Sequence, residues 1–165
     1  MSSQNLILTA DAALKKMHRM AYEIVENNIG EKKIILAGIK ESGLIIANTI
    51  KVFLEHACKA EISLIEINID KKNPKKISVS GKENFDDAII IVVDDVANTG
   101  KTLLYALKIF LDFYPKKIQA LVLVERSHKL FPVSADYVGL SISTAADEKI
   151  IVESEGNEIK GARLQ

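Results

Sequence analysis

The residues best suited to chemistry are two adjacent acids followed by a loop of small residues. The stretch DDVANTGKT begins at Asp94 and Asp95, directly after an apolar run. The backbone amides of such a loop, the hydroxyls of Thr99 and Thr102, and a helix starting near Gly100 would together bind one phosphate group. The two carboxylates would accept hydrogen bonds from neighbouring sugar hydroxyls, or hold magnesium through water. A phosphate beside a diol describes a ribose 5-phosphate, and a generic turn with solvated aspartates is the alternative.

The ending TGKT also occurs in ATP-type phosphate loops, but the spacing here argues against that class of protein. Such a loop needs a second glycine five positions before the glycine of GKT, where the backbone bends around the phosphate. Counting back from Gly100 gives Asp95, and a carboxylate at that position would repel the phosphate. We therefore reject a nucleoside triphosphatase.

Composition limits the remaining classes. The chain has 165 residues, of which 48% are hydrophobic and 27% charged, and its formal net charge is zero. This length and apolar content predict a single domain over residues 1–165, and the balanced charge disfavours nonspecific nucleic-acid binding. The lone Cys58 cannot form an internal disulfide. We see no signal peptide and no apolar stretch of about 20 residues, so we expect a soluble cytoplasmic protein without membrane contact.

The elements that must position the acids alternate between helices and short apolar strands. Thr9 is a candidate helix cap, and Gly30 is expected to end that helix. The pattern predicts strands over 6–9, 34–38, 61–69, 88–93 and 118–124, helices up to Gly30, over 43–57 and over 100–113, a long polar loop over 70–87 and a hairpin turning at Glu155 and Gly156. This order predicts an α/β fold with a parallel sheet flanked by helices, where ligands bind beyond the carboxyl ends of the strands.

The sequence around the acids resembles a known signature. A hydrophobic strand, two acids, small residues and TGKT are similar to the motif with which type I phosphoribosyltransferases bind 5-phosphoribosyl 1-pyrophosphate (PRPP). The likeness extends, in order, through ILTADAALKKMHRMAYEIVENNIG, IILAGIKESG, LIEINID and IQALVLVERSHKLFPVSADYVGLSISTAADEKIIV. Within that family, these segments look like the pyrimidine-operon attenuation regulators that are also uracil phosphoribosyltransferases. The segment ADYVG is the most distinctive of them.

The resemblance implies an enzyme that transfers ribose 5-phosphate from PRPP to a nitrogenous base and releases pyrophosphate with magnesium. It implies that Asp94 and Asp95 hold the ribose hydroxyls, and that magnesium arrives on PRPP, with a water bridge to either acid and no direct protein ligand. The implied 5-phosphate site consists of Ala97, Asn98, Thr99, Gly100, Lys101 and Thr102. The implied pyrophosphate site is the turn of Lys40, Glu41, Ser42 and Gly43, in which Lys40 neutralises the leaving group.

The resemblance also implies a base site under a small C-terminal hood and a lid over PRPP. The implied readers of the base edge are Val138, Gly139, Ser141 and Thr144, within the segment 138–144. The lid would be residues 70–87, in which Lys71, Lys72, Lys75 and Lys76 close over PRPP and exclude water. A solvated lysine run is the alternative for this segment. Ser42 and Ser143 stand where the subfamily usually has an arginine and a proline, so the choice of base stays open.

Three alternatives keep the fold and change the function. The first is an RNA-binding regulator with weak catalysis, for which a thin basic patch on the first helix, Lys15, Lys16, His18 and Arg19, is the signal, although a solvated helix face explains it as well. The second is a phosphoribosyltransferase for hypoxanthine or guanine. The third is a PRPP-binding sensor without turnover. The resemblance further implies a homodimer or a higher homo-oligomer.

Overall fold

The computed structural model describes residues 5–70, 72–81 and 84–165. In chain order the elements are β1 (Leu6–Thr9), α1 (Ala10–Asn27), β2 (Lys33–Ile39), α2 (Ser42–Ala57), β3 (Glu61–Ile69), β4 (Ile77–Val79), β5 (Ile89–Ala97), α3 (Lys101–Leu107), a 3-10 helix (Lys108–Asp112), β6 (Lys117–Arg126), β7 (Tyr137–Ile142), β8 (Ile150–Glu155) and β9 (Glu158–Leu164). The Thr9 hydroxyl accepts a hydrogen bond from the Ala12 amide at 3.2 Å, which confirms the predicted cap of α1.

A six-stranded sheet in the order β4-β3-β2-β5-β6-β7 forms the centre of the molecule. Every neighbouring pair in it is parallel except β3 with β4. Helices α1 and α2 cover one face, while α3 and the 3-10 helix cover the other, so each face has its own apolar core. The predicted fold class is therefore confirmed. Within the described ranges, no helix is both long enough and apolar enough to cross a membrane.

A second, three-stranded antiparallel sheet in the order β1-β9-β8 packs on the α1 and α2 side of the central sheet. The predicted hairpin is present, because β8 and β9 are joined at a turn in which Gly156 has φ of +58°. The expected C-terminal hood is thus built from both ends of the chain, since β1 at the N-terminus pairs with β9. No short-range pattern announces that pairing, because its partners lie about 155 positions apart in the sequence.

Two segments differ in extent from the sequence-based expectation. Strand β5 does not stop at position 93 but continues through both acids to Ala97, because residues 94–97 remain paired with β6. The segment 70–87 is only partly irregular, since Ile77–Val79 forms β4 against the end of β3. The buried Phe85 anchors the far end of this segment against Phe110 and Phe113. Lys71 of the predicted lid lies outside the described residues.

A buried polar network joins α1 to the central sheet. The hydroxyl of Tyr137, a residue with no exposed surface, donates to Gln119 Oε1 at 2.9 Å, and Asn28 Nδ2 donates to the same oxygen at 3.1 Å. Burial raises the pKa of the Tyr137 phenol above its ordinary value near 10, and its hydrogen bonds with the Asn28 and Gln119 side chains oppose the shift. The folded protein therefore holds this proton more tightly than the unfolded chain does.

We expect this network to make stability fall at alkaline pH. A phenol whose folded pKa is raised contributes stability below about pH 10, and the contribution is lost as pH rises through the folded pKa. At pH 7, Tyr137→Phe should lower the free energy of unfolding by about 1 kcal/mol, the worth of one hydrogen bond. Above pH 10 that difference should shrink or reverse in urea unfolding series. Tyr114→Phe, at an 87% exposed position, is the control, and a pH-independent difference for both variants would contradict the expectation.

Candidate active site

A pocket of about 290 Å³ lies at the carboxyl end of β5. It is lined by Asp94, Asp95, Val96, Ala97, Asn98, Thr99, Gly100, Lys101, Thr102, Leu103, Ile150, Ile151 and Val152. The structure thus brings both acids and all six predicted phosphate-loop residues into one cavity. Its position agrees with the rule that open parallel sheets bind ligands beyond the carboxyl ends of their strands.

The two acids have different surroundings. Asp94 is 3% exposed and its Oδ1 accepts a hydrogen bond from the Asp95 amide at 2.8 Å. Asp95 is half-buried, and its Oδ1 accepts from the Val96 amide at 2.8 Å. Both carboxylates therefore have one oxygen held by the backbone, which orients them. Because successive side chains of a strand leave it on opposite faces, we expect the two acids to approach a bound ligand from different sides.

The strand register places the acids just beyond the pairing of β5 with β2. Pairing between β2 and β5 ends at Gly38 and Val93, so Asp94 and Asp95 extend beyond β2 while β6 still supports them on the other side. The start of α2 packs closely here, because a Cβ on Gly43 would lie 2.8 Å from the Val93 carbonyl oxygen and 3.3 Å from Asp94 Cα. Glycine at position 43 is therefore needed for the approach of α2 to β5.

The loop after β5 has the conformation of a compact turn. Gly100 adopts φ of +83°, in the left-handed region that favours glycine, and α3 begins directly after it. The Thr99 hydroxyl accepts from the Lys101 amide at 3.2 Å, and the Gly100 carbonyl accepts from the Leu104 amide at 3.0 Å. The loop can offer its other backbone amides and the Thr102 hydroxyl to an anion.

The small sheet forms the opposite wall of the pocket, which sequence reasoning did not find. Ile150, Ile151 and Val152 of β8 line the cavity. The Asn98 side chain joins the loop to this wall, because its amide nitrogen donates to the Ile150 carbonyl at 3.5 Å and its oxygen accepts from the Ile150 amide at 3.4 Å. Asn98 thus holds β8 against the loop. The apolar run IIV was visible in the sequence, but its position over the loop was not.

The predicted pyrophosphate turn lies next to the pocket without lining it. Glu41 has φ of +70°, which is unusual for a residue with a side chain, and no described peptide bond is cis. Lys40 instead lines a neighbouring groove with Asp70 and Lys72. The Ser42 hydroxyl lies 3.4 Å from the Ser154 hydroxyl of β8, so this turn also contacts the small sheet. The turn is joined to the pocket through Gly43, which packs against the backbone of Val93 and Asp94 in β5.

The predicted base readers lie at the edge strand of the central sheet, outside the cavity around the acids. Val138 and Gly139 belong to β7, and Arg19 Nη2 of α1 donates to both carbonyl oxygens at 3.1 Å. Ser141 is exposed at the end of β7, and the Thr144 hydroxyl donates to the Ala145 carbonyl at 3.2 Å. The backbone carbonyls at 138 and 139 are thus already engaged by Arg19, a role that sequence reasoning missed.

The donor set of the pocket suits a cation that arrives on a substrate. Among the residues that the structure describes, no three His, Cys, Asp or Glu side chains come together as a metal site. The pocket supplies two carboxylates, Asp94 and Asp95. Magnesium in proteins commonly keeps several waters and takes one or two carboxylates plus substrate phosphate oxygens. The residues present therefore fit a phosphate-bound magnesium ion near the two acids.

Comparison with known proteins identifies the family. The sequence profile of the phosphoribosyl transferase domain matches residues 3–157, which is nearly the whole chain. The chain belongs to the phosphoribosyl transferase family. It is a phosphoribosyltransferase of type I that resembles the proteins named Bifunctional protein PyrR. One of these, from Enterococcus faecalis, is 35% identical over 164 residues, covering 90% of this chain and 89% of the relative.

Other relatives and solved structures agree with this assignment. The Bifunctional protein PyrR of Ligilactobacillus salivarius is 37% identical over 153 residues, covering 86% of each chain. The hypoxanthine phosphoribosyltransferase of Trypanosoma cruzi superposes with a TM-score of 0.81 at 15% identity, over 98% of this phosphoribosyltransferase and 97% of that chain. A hypoxanthine-guanine phosphoribosyltransferase from Bacillus anthracis gives 0.72 at 20% identity, over 92% and 88%. At these identities the solved structures show the shared fold alone.

Proposed function

We propose that this phosphoribosyltransferase transfers ribose 5-phosphate from PRPP to uracil or a related base and releases pyrophosphate. The observation that carries the proposal is the pocket in which Asp94 and Asp95 stand beside the loop 97–102. That loop would offer backbone amides to an anion, and the acids would offer acceptors to a diol. The two functions meet in one cavity of about 290 Å³, which suits a sugar phosphate.

In the proposed complex, the loop binds the 5-phosphate and the acids bind the ribose. The backbone amides around Gly100 and the Thr102 hydroxyl would donate to phosphate oxygens, and β8 would shield the sugar from water. The orientation of the carboxylates by the backbone amides of Asp95 and Val96 would hold them ready for the hydroxyls. This preorganisation lowers the cost of fixing the sugar for reaction.

The charges are arranged to suit bond breaking at C1 of the ribose. As the bond to pyrophosphate breaks, positive charge develops on the ribose and negative charge on the leaving group. The carboxylates of Asp94 and Asp95 would stabilise the sugar side, while Lys40 and the amides at the start of α2 would stabilise the pyrophosphate. Magnesium bound to PRPP would neutralise charge on the leaving oxygens. Asp94 and Asp95 are the residues that would hold it through water.

The lysines of the segment 70–87 support a lid role for that segment. Lys72, Lys75 and Lys76 are exposed, and Lys72 and Lys76 each line a groove that also contains Lys40. Cationic side chains there could approach PRPP and exclude water from the reacting carbon. The short strand β4 would give the segment a defined hinge on β3, where residues 67–69 pair with residues 77–79.

The choice of uracil rests on the resemblance of the sequence to the PyrR proteins, with 35% identity to the Enterococcus faecalis protein across 90% of the chain. The hypoxanthine enzymes share the fold at 15–20% identity, so a purine remains the competing substrate. Because Arg19 already occupies the carbonyls of Val138 and Gly139, we expect amides and side chains of this region to read the base. Acceptors on uracil, its two carbonyl oxygens, would match such donors.

A substrate panel tests the proposal. Purified protein with magnesium and PRPP is given uracil, cytosine, hypoxanthine, guanine or no base, and pyrophosphate release is measured. We expect release with uracil and little with the other bases. Release with a purine alone would overturn the uracil assignment and keep the reaction. PRPP binding without release for any base would contradict the enzymatic proposal and favour a sensor.

A further inference from the structure

A half-buried ion pair lies directly behind the phosphate loop and outside the pocket. Lys129 Nζ lies 2.8 Å from Glu125 Oε2, and the two side chains are only 13% and 16% exposed. They are four residues apart, but no helix joins them, since β6 ends at Arg126 and an irregular segment follows. Neither residue lines the cavity around the acids. The pair closes the short loop of residues 126–128 and so fixes Lys129 relative to the end of β6.

The pair joins Glu125, near the end of β6, to Lys129 in the middle of the segment 127–133, and this segment contacts the phosphate loop at Thr99 and Gly100. The Thr99 carbonyl accepts two hydrogen bonds from it, from the Leu130 amide at 3.0 Å and from the Phe131 amide at 3.1 Å. A Cβ on Gly100 would meet Val133 Cγ1 at 2.7 Å and Lys129 Cδ at 3.5 Å. The segment 127–133, which we call the brace, therefore packs against the outer side of Thr99 and Gly100.

The brace is fastened on its other side as well. Glu125 lies opposite Ala97 in the β5–β6 pairing, which places the acid of the ion pair beside the first residue of the phosphate loop. The Ser127 amide donates to the Ile142 carbonyl at 2.9 Å, so the start of the brace is joined to β7. With the start of the brace held by β7 and its middle held by the Glu125–Lys129 pair, the two amides at 130 and 131 are presented to Thr99.

We infer that the Glu125–Lys129 ion pair is a positioning element for the phosphate loop, and that it sets the affinity for the phosphorylated end of PRPP without touching it. The inference rests on the proposed function for the identity of the ligand. If the braced conformation is the binding-competent one, the apparent affinity falls by the fraction of molecules that leave it. Breaking a partly buried pair leaves a charge without its partner, which favours opening of the segment.

The test is Glu125→Gln, which keeps the shape and removes the charge. We expect hydrogen exchange of the amides at 98–102 to speed up in the ligand-free protein, and the KM for PRPP to rise about tenfold. The kcat and the KM for the base should change less than about twofold, because only the binding of one end of PRPP is affected. The matched control is Glu31→Gln. It breaks the Lys116–Glu31 ion pair, whose atoms are 2.7 Å apart and which lies outside the pocket.

Two further variants keep the test decisive. The charge exchange Glu125→Lys with Lys129→Glu should restore the slow exchange and most of the PRPP affinity, which a loss of packing alone would not. If Glu125→Gln does not fold, the uncharged pair Glu125→Gln with Lys129→Gln carries the same measurements, with a smaller rise in KM expected because no charge is left alone. Unchanged exchange and unchanged KM in the folded variants would overturn the inference.

The two levels of the proposal fail separately. If wild-type protein shows no binding of PRPP but exchange at 98–102 depends on the ion pair, the proposed function is wrong and the positioning of the loop stands. If wild-type protein uses PRPP and Glu125→Gln uses it equally well, the proposed function stands and the inferred role of the Glu125–Lys129 pair is wrong.

Discussion

We expect replacement of Asp95 with asparagine to lower kcat/KM for PRPP about 100-fold, because charge-assisted hydrogen bonds to two ribose hydroxyls would be weakened together. The substitution preserves the side-chain oxygen that accepts from the Val96 amide at 2.8 Å. It removes the negative charge that would stabilise the developing positive charge on the ribose. The measurement is steady-state pyrophosphate release with varied PRPP, at saturating base.

The control for this substitution is Asp136→Asn. Asp136 Oδ2 also accepts a backbone hydrogen bond, from the Ala120 amide at 2.8 Å, but the residue lies just before the start of β7 and outside the pocket. Its loss of charge should leave PRPP use within about twofold of wild type. Unchanged turnover in a folded Asp95→Asn protein would remove Asp95 from the site, and with it the ribose assignment.

A comparably large effect is expected for Gly100→Ala. An alanine there meets two obstacles, namely φ of +83° and a contact of 2.7 Å with Val133 Cγ1. Valine is a stiff β-branched residue, so the loop rather than the valine is expected to move. A displacement near 1 Å of a phosphate-binding loop can reduce kcat/KM by about 100-fold. Steady-state kinetics with varied PRPP and a thermal unfolding midpoint on the same samples measure the effect.

Two matched variants separate the backbone strain from the steric contact. Gly30 has φ of +80° with no atom within 4 Å of a built Cβ, so Gly30→Ala imposes the same backbone cost far from the site. That cost, about 1 kcal/mol, should lower the unfolding midpoint of both proteins by roughly 2–4 °C. Only Gly100→Ala should lose activity, and adding Val133→Ala should restore part of it. Equal activity of the two glycine variants would contradict the phosphate-loop assignment.

Local patterns were sufficient to predict most of the elements. Apolar runs predicted β2, β3, β5 and β6, because buried parallel strands need uninterrupted branched residues, and the short run LILT predicted β1 of the small antiparallel sheet. Thr9 predicted the start of α1 through a hydrogen bond three residues away, which is a local interaction. The pattern did not reveal β4, since Ile77–Val79 is a three-residue edge strand that is only partly buried and sits in a lysine-rich segment.

The sequence by itself determined which residues form the core of the candidate site, because Asp94, Asp95 and the glycine-containing loop are consecutive and directly follow a buried strand. Only the tertiary structure decided what faces them. The β8 wall, the Asn98 contact with Ile150, the Arg19 hydrogen bonds to β7 and the contacts of the brace with Thr99 and Gly100 all join distant parts of the chain through packing. Such contacts depend on how the sheets and helices are assembled. Short-range periodicity describes which face of an element is apolar, and it carries no information about which distant element covers that face.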